Sequence, residues 1–296
     1  METFEALGRR IATTNDLRAI VSTMKSLSMV SVHQYDRAVS ALQTYRRTIE
    51  LGFQVLMREH VDLDLGSRDV GPTIAIPFGS DHGLCGRFND QIIQFAMAEL
   101  GRPKAAVTEI LWLPVGAQIA ARLEAQSQPV EDEMRLPGSV NGLTATTQAL
   151  LLAIDGWRTE RGAARVVLFH NRRTDQANAE TSTTQIWPLD RSWLQSIADR
   201  PWPSRRLPTF SMKPDRLFAS LVRQHLFVMI FRAGAESLAS EHATRLMAMQ
   251  AAERNIDERL DEMNSRFRRM RQQSITEELL DVVAGFESLT GGHDLA

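Results

Sequence analysis

Two long stretches of the chain repeat an apolar or small residue at alternating steps of four and three. The first passes through Leu17, Val21, Met24, Ser28, Ser31, Tyr35, Ala38, Leu42, Tyr45 and Ile49. The second passes through Leu246, Met249, Glu253, Ile256, Leu260, Met263, Phe267, Met270 and Ser274. After a slip of one residue, Ile275, Leu279, Val282, Phe286 and Leu289 carry it on. A spacing of 3.5 kept over three or more heptads predicts helices joined along a narrow seam, as in a left-handed coiled coil. Helices of an ordinary bundle would be shorter and carry a broader apolar stripe.

Proline placement says where such helices can run. All 11 prolines lie between Pro72 and Pro214. Proline inside a helix costs about 3 kcal/mol, so the proline-free head and tail can be helical throughout. From Asp215 to Leu289 the only candidate interruptions are Gly234 and Gly285. At about 1.5 Å per residue that tail would reach about 110 Å. A compact domain of about 300 residues has a radius of gyration of roughly 19 Å. The expectation is a tail helix that protrudes from a globular part and pairs antiparallel with the head helix.

Between the two, the pattern alternates. Thr73–Phe78, Glu109–Gly116 and Arg165–Asn171 are apolar runs of strand length, and Thr181–Leu189 is a fourth that Pro188 assigns to a sheet edge. Helix candidates Asn89–Gly101, Ala117–Ala125 and Leu143–Arg158 separate them. This order predicts a small Rossmann-like α/β domain with a mainly parallel sheet. The acid-rich Pro129–Gly138 reads as a solvated loop, and Asp199–Phe210 as an exposed connector. The division expected is 1–60 for the head helix, 70–205 for the α/β domain and 212–290 for the tail helix.

Composition narrows the function classes. Apolar residues make up 43 % of the chain, enough for a core, and the net charge of −2 gives no global case for binding nucleic acid or an anionic membrane. One cysteine forms no internal disulfide. The N-terminus has no apolar signal core, and the longest uncharged run, Leu136–Ile154, is diluted by Pro137, Gly138, Asn141 and Gly142. The reading is a soluble cytoplasmic protein of a bacterium.

The segment Ile76–Ile93, IPFGSDHGLCGRFNDQII, has the strand–glycine loop–helix order of a phosphate cradle or a nucleophile turn. It contains no Walker pattern and no lysine. His82 is the one nearby base for Cys85, and no third partner follows from the sequence. The seven histidines show no metal-ligand spacing. Arg266–Gln273, RFRRMRQQ, interleaves four arginines with Phe267 and Met270 as a nucleic-acid or calmodulin-type helix would, but Asp257, Glu258, Asp261 and Glu262 lie just upstream. The solvated outside of a coiled coil is favoured over that, and a face for acidic loops of a protein partner is the third reading.

Ser80–Asn89, SDHGLCGRFN, resembles the S-D-R-G-L-C-G-G-L-N segment of the gamma subunits of F-type ATP synthases. Ala235–Asn255 and Arg271–Gly285 resemble that family's C-terminal signature, and Arg10–Ser26 its N-terminal helix. The resemblance implies an antiparallel coiled coil of both termini on a small α/β domain. It implies a central shaft inside a ring of three alpha and three beta subunits, resting with epsilon on the ion-driven membrane c-ring. The shaft would carry torque between them and have no catalytic site, cofactor, metal or nucleic acid of its own. Its place would be peripheral, on the cytoplasmic face of the inner membrane. Met24, Lys25, Arg245, Gln272, Thr276 and Glu278 would meet beta subunits, and Asp81, Gly83, Cys85 and Gly86 would form a collar loop below the ring. Ser31, His82, Arg87 and Phe286 depart from the family pattern, which marks a divergent form. The alternative is an autonomous α/β enzyme with a coiled-coil arm, holding an anion or nucleotide in the Gly83–Gly86 loop.

Small-angle scattering separates a protruding helix pair from a globule. The expected result is a maximum dimension well beyond that of a sphere of this mass, and a compact particle would remove the physical case for the long tail.

Overall fold

A computed structural model describes residues 3–59, 71–101, 109–173, 179–206 and 208–290. The elements are α1 (Phe4–Glu59), β1 (Thr73–Pro77), α2 (Phe88–Leu100), β2 (Ile110–Trp112), α3 (Ala117–Ala125), α4 (Val140–Glu160), β3 (Arg165–Arg173), β4 (Ala179–Trp187), α5 (Arg191–Ala198) and α6 (Pro214–Thr290). The head and tail form continuous helices of 56 and 77 residues. The chain divides into two compact units: residues 28–245, and a second that joins the residues up to 27 with those from 246 onward.

In the unit of residues 28–245 the sheet order is β2-β1-β3-β4. β1 runs parallel to β2 and β3, whereas β4 is antiparallel to β3 at the edge. Strand side chains alternate between faces, and here both faces are apolar. Ile74, Ile76, Val166 and Leu168 pack with Phe53 and Leu56 of α1, Leu150 and Ile154 of α4, and Phe218, Val222 and Ile230 of α6. Ala75, Trp112, Val167 and Phe169 pack with Ile92, Ile93 and Ala96 of α2 and Ile119 and Leu123 of α3. Burying each large side chain stabilises the unit by about 1.5–3 kcal/mol relative to leaving it exposed.

α6 comes close to the sheet because its contact residues are small. Ala233, Ala235, Ser237, Ala239 and Ser240 are buried. A Cβ on Gly234 would lie 3.0 Å from Leu143 and 3.3 Å from the Phe78 ring. At that distance the Ser237 hydroxyl donates to the Phe78 carbonyl at 3.0 Å.

Two local features differ from the sequence expectation. Pro129–Gly138 is not wholly a solvated loop: Val130 and Met134 make parallel bridges to Trp112 and Val115, while Glu131, Asp132 and Glu133 stay exposed. The additional helix α5 is capped by Asp190, whose carboxylate accepts from the Ser192 amide, and it buries Leu194 and Ile197.

In the second unit the helices α1 and α6 are antiparallel. Phe4 stacks on Phe267 with ring centroids 4.3 Å apart, Arg18 pairs with Asp257 at 2.7 Å, and Lys25 with Glu253 at 2.5 Å. Partners on α6 recede as α1 advances. The observed head seam runs one residue off the expected one near its start. Leu7, Ile11, Thr14 and Val21 are covered, whereas Leu17 is 50 % exposed. The 4,3 rhythm through Leu7 and Val21 puts Arg18 and Lys25 on the seam side, where they pair with the two α6 carboxylates. The tail seam is covered through Met270 and ends there: every described side chain from Arg271 to Gly285 is exposed, Ser274, Ile275, Leu279 and Val282 included. The side chains of Phe286 and Leu289 lie outside the described residues.

The close approach of α3 to the end of β1 is testable at Gly79. A Cβ there would sit 2.3 Å from Ile119 Cβ and 2.6 Å from Asn89 Oδ1. Gly79→Ala is expected to lower unfolding stability by about 1–3 kcal/mol through overpacking, read as a lower urea midpoint. An unchanged midpoint would contradict the packing.

Candidate functional site

The loop between β1 and α2 is fixed from three sides. The Ser80 amide donates to Asn89 Oδ1 at 2.9 Å, and the Asn89 amide group donates back to Ser80 Oγ at 2.8 Å. Asp81 accepts from the Ala117 amide at 2.9 Å and the Leu136 amide at 3.1 Å. One carboxylate thus holds the first turn of α3, where its charge also suits the helix dipole, and the segment leading to α4. Leu84 has φ +64° and Gly86 φ +59°. A non-glycine residue in that region is strained by about 1–3 kcal/mol and persists only when its surroundings hold it. Leu84 nevertheless points outward, 60 % exposed.

Cys85 faces the opposite way. Its side chain is buried in the α2–α3 cluster beside Phe88 and Ile92. Burial pushes the thiol above its ordinary pKa, a hydrogen bond from Ser80 opposing, so it is protonated near neutrality. Sγ lies 3.5 Å from Ser80 Oγ and meets His82 only at the backbone carbonyl, 3.8 Å away. The His82 ring is not its base. The thiol is a small apolar core group.

The third side is α6. Arg245 and Glu241, four residues apart, are both buried and joined at 2.5 Å. The guanidinium also donates to the Gly83 carbonyl at 3.3 Å and the His82 carbonyl at 3.4 Å. Burial raises Glu241 to about 7, with Arg245 opposing and Asp81 adding to the rise. His242, stacked on Tyr35 at 5.8 Å, is lowered to about 4 by burial and then by the Arg245 charge. Glu241 has no sequence signature of its own; its clue is the spacing of four before an arginine on a helix face of small residues.

The other residues singled out in the sequence fall into two groups. Lys25 is half-buried in its pair with Glu253, and Met24 is half-buried beside it. Gln272, Thr276 and Glu278 lie on the exposed end of α6, where the Thr276 hydroxyl donates only to the Gln272 carbonyl at 2.9 Å. In Arg266–Gln273, Phe267 and Met270 are partly covered, whereas Arg266, Arg268, Arg269 and Arg271 are exposed. Among the described residues no group of three or more His, Cys, Asp or Glu is placed to hold a metal ion, and no helix is long and apolar enough to cross a membrane.

On the resemblance to gamma subunits of F-type ATP synthases, Cys85→Ala is expected to leave ATP turnover of a complex containing this chain within twofold of the parent. Abolished turnover in a complex that assembles normally would reinstate a chemical role for the thiol.

Comparison with known proteins agrees with this architecture. A family model described as ATP synthase matches residues 3–289. The ATP synthase gamma chain of Geotalea uraniireducens (strain Rf4) is 26 % identical over 297 residues, covering 98 % of this chain and 100 % of the relative. That of Phocaeicola vulgatus is 27 % identical over 293 residues, covering 96 % and 99 %. A chain in the cryo-EM structure of Euglena gracilis mitochondrial ATP synthase, OSCP/F1/c-ring in rotational state 3, superposes with a TM-score of 0.64 at 17 % identity, covering 99 % of this chain and 96 % of its own. A chain of the same enzyme's rotor in rotational state 1 gives 0.61 at 14 % identity, covering 92 % and 98 %. With its fold shared and residues 3–289 matched by the family model, the chain belongs to the ATP synthase family.

Proposed function

We propose that this chain is the central-stalk shaft of an F-type ATP synthase: a non-catalytic subunit that transmits torque between an ion-driven membrane ring and catalytic beta subunits. The observation that carries the reading is the end of α6. Ile275, Leu279, Leu280, Val282 and Val283 are 47–69 % exposed on a helix with no covering element among the described residues. A contiguous exposed apolar stripe of this kind marks an interaction surface. A ring of alpha and beta subunits closing around the helix supplies the missing cover. The α/β domain engages epsilon and the c-ring, which makes the chain peripheral to the membrane, on its cytoplasmic face.

The contacts follow from exposure. Gln272, Thr276 and Glu278 present polar groups beside the stripe to the beta subunits, and Met24 and Lys25 meet them along α1. The 82–86 loop presents Leu84 to the same ring as part of the collar. Arg245 stands apart, because its guanidinium is spent on Glu241 and on the loop carbonyls; it acts on the ring through the loop. The anion-binding alternative has less support, since the Gly83 carbonyl faces an arginine of the chain and the cysteine is a core residue.

Gln272 and Thr276 test the reading. A hydrogen bond lost at a desolvated, charge-assisted contact costs about 1.5–3 kcal/mol, and about 1.4 kcal/mol is tenfold in rate. Gln272→Leu with Thr276→Val is expected to lower ATP turnover of the assembled complex about tenfold. Helical content and nucleotide binding to the beta subunits should not change. Normal turnover would contradict these contacts, and failure of the parent chain to co-purify with alpha and beta subunits would contradict the shaft reading.

A further inference from the structure

Among the described residues, Arg245 and Glu241 are where α6 grips the 82–86 loop through buried charge. The side chains of Arg245 and Glu241 are 6 % and 5 % exposed. The guanidinium bonds Glu241 Oε1, the carbonyls of His82 and Gly83, and approaches His242 Nδ1 at 3.4 Å. A planar fork with five N–H groups in fixed geometry suits a carboxylate and two carbonyls at once better than the flexible point charge of a lysine. The next residue is the strained Leu84. A residue in the left-handed region needs neighbours that hold it, and the carbonyl before it is held by Arg245.

Glu241 is the weak point of the grip. Its second carboxylate oxygen, Oε2, is buried without a hydrogen-bond partner. The titratable groups around it are Arg245 and His242 on α6, Tyr35 on α1, and Asp81 and Cys85 in the loop. Arg245 is the one cation among them, since burial keeps His242 neutral near pH 7. Asp81 adds like charge, and the Tyr35 phenol, pushed up to about 12 by burial and then by Glu241, adds none.

We propose that Arg245 and Glu241 are positioning residues that hold the 82–86 loop with Leu84 presented outward, and that ionisation of Glu241 loosens this hold. The latch itself rests on the chain alone. Its use, presenting Leu84 to the beta subunits, rests on the shaft reading.

The sign follows from linkage. With the loop closed, Glu241 keeps its proton up to about pH 7; once hydrated, it returns toward the ordinary value of 4.5. The closed state therefore binds more protons, and raising the pH favours opening. Glu241 alone would raise the opening constant about fortyfold between pH 5 and 7 and then level off. His242, held at about 4 by burial and by Arg245, gains a proton when hydrated and opposes that rise, so the profile is read in a His242→Gln background. The direct Arg245 contact does not reverse this, because burial and the unpartnered oxygen outweigh it.

The chain carries its own reporter. Cys85 is buried in the same loop and is the only cysteine. Its rate of reaction with an aromatic disulfide, divided by that of an unstructured cysteine peptide at each pH, gives the opening constant. The full-length chain is used at low urea concentrations, where weak urea dependence separates local opening from global unfolding. In the His242→Gln background the expected result is a rise from pH 5 to about 7 and a plateau above it, and the two variants below carry the same change. Glu241→Gln should remain slow and flat across the range, and Arg245→Ala should be at least tenfold faster at pH 6, with unchanged helicity. A corrected rate in the His242→Gln chain that is independent of pH would overturn the proposal, whether or not either further variant folds. So would Arg245→Ala reacting at the rate of that chain. Co-purification of the parent chain with alpha and beta subunits tests the shaft reading separately, so the two can fail independently.

Discussion

One uninterrupted helix has to dispose of its apolar stripe, and the rest of the chain is arranged around that need. α6 meets three kinds of surroundings along its length. From Phe218 to Ala239 its buried residues lie against α1, α4 and the sheet. From Met249 to Met270 they face α1 alone, across a narrow seam edged by Arg18–Asp257 and Lys25–Glu253. From Arg271 to Gly285 no described residue covers them. The hydrophobic effect gives the first two sections their partners within the chain, and it leaves the third as a demand on another molecule.

The same need explains how a glycine loop can be architecture. A phosphate cradle turns backbone N–H groups toward a ligand. Here the Ser80 amide is taken by Asn89, the Ala117 and Leu136 amides by Asp81, and the outward carbonyls of His82 and Gly83 by Arg245. These bonds join the loop to α2, α3 and α6. The cysteine fills the core beneath it, and a strained leucine is left at its tip.

Much of this was legible in the sequence. Proline exclusion located both long helices to within a few residues, because a single proline costs more than tertiary packing readily recovers. The strand runs were legible because a sheet buried on both faces demands continuous apolar residues. The missed features are those that depend on a partner's position. Arg18 takes the seam-side place that periodicity alone gives to Leu17, and Lys25 joins the half-buried Met24 there, since their carboxylate partners are some 230 residues away in sequence. Val130 and Met134 are two apolar residues among acids, and only the exposed side of β2 gives them a role. Arg245 resembles a surface contact residue until Glu241 and the loop carbonyls are seen to enclose it. The seam past Met270 keeps its rhythm in sequence, but the first described turn of α1, at Phe4 and Leu7, already lies against Phe267 and its neighbours.

The central claim, that the uncovered end of α6 is covered by a ring of partner subunits, can be measured residue by residue. In a Cys85→Ala background, Ile275→Cys and Leu279→Cys would be labelled with a polar maleimide, first in the isolated chain and then in the purified complex with alpha and beta subunits. The account predicts rapid labelling of both positions in the isolated chain and strong protection of both in the complex. Equal labelling in the two states, in a complex that turns over ATP normally, would contradict it.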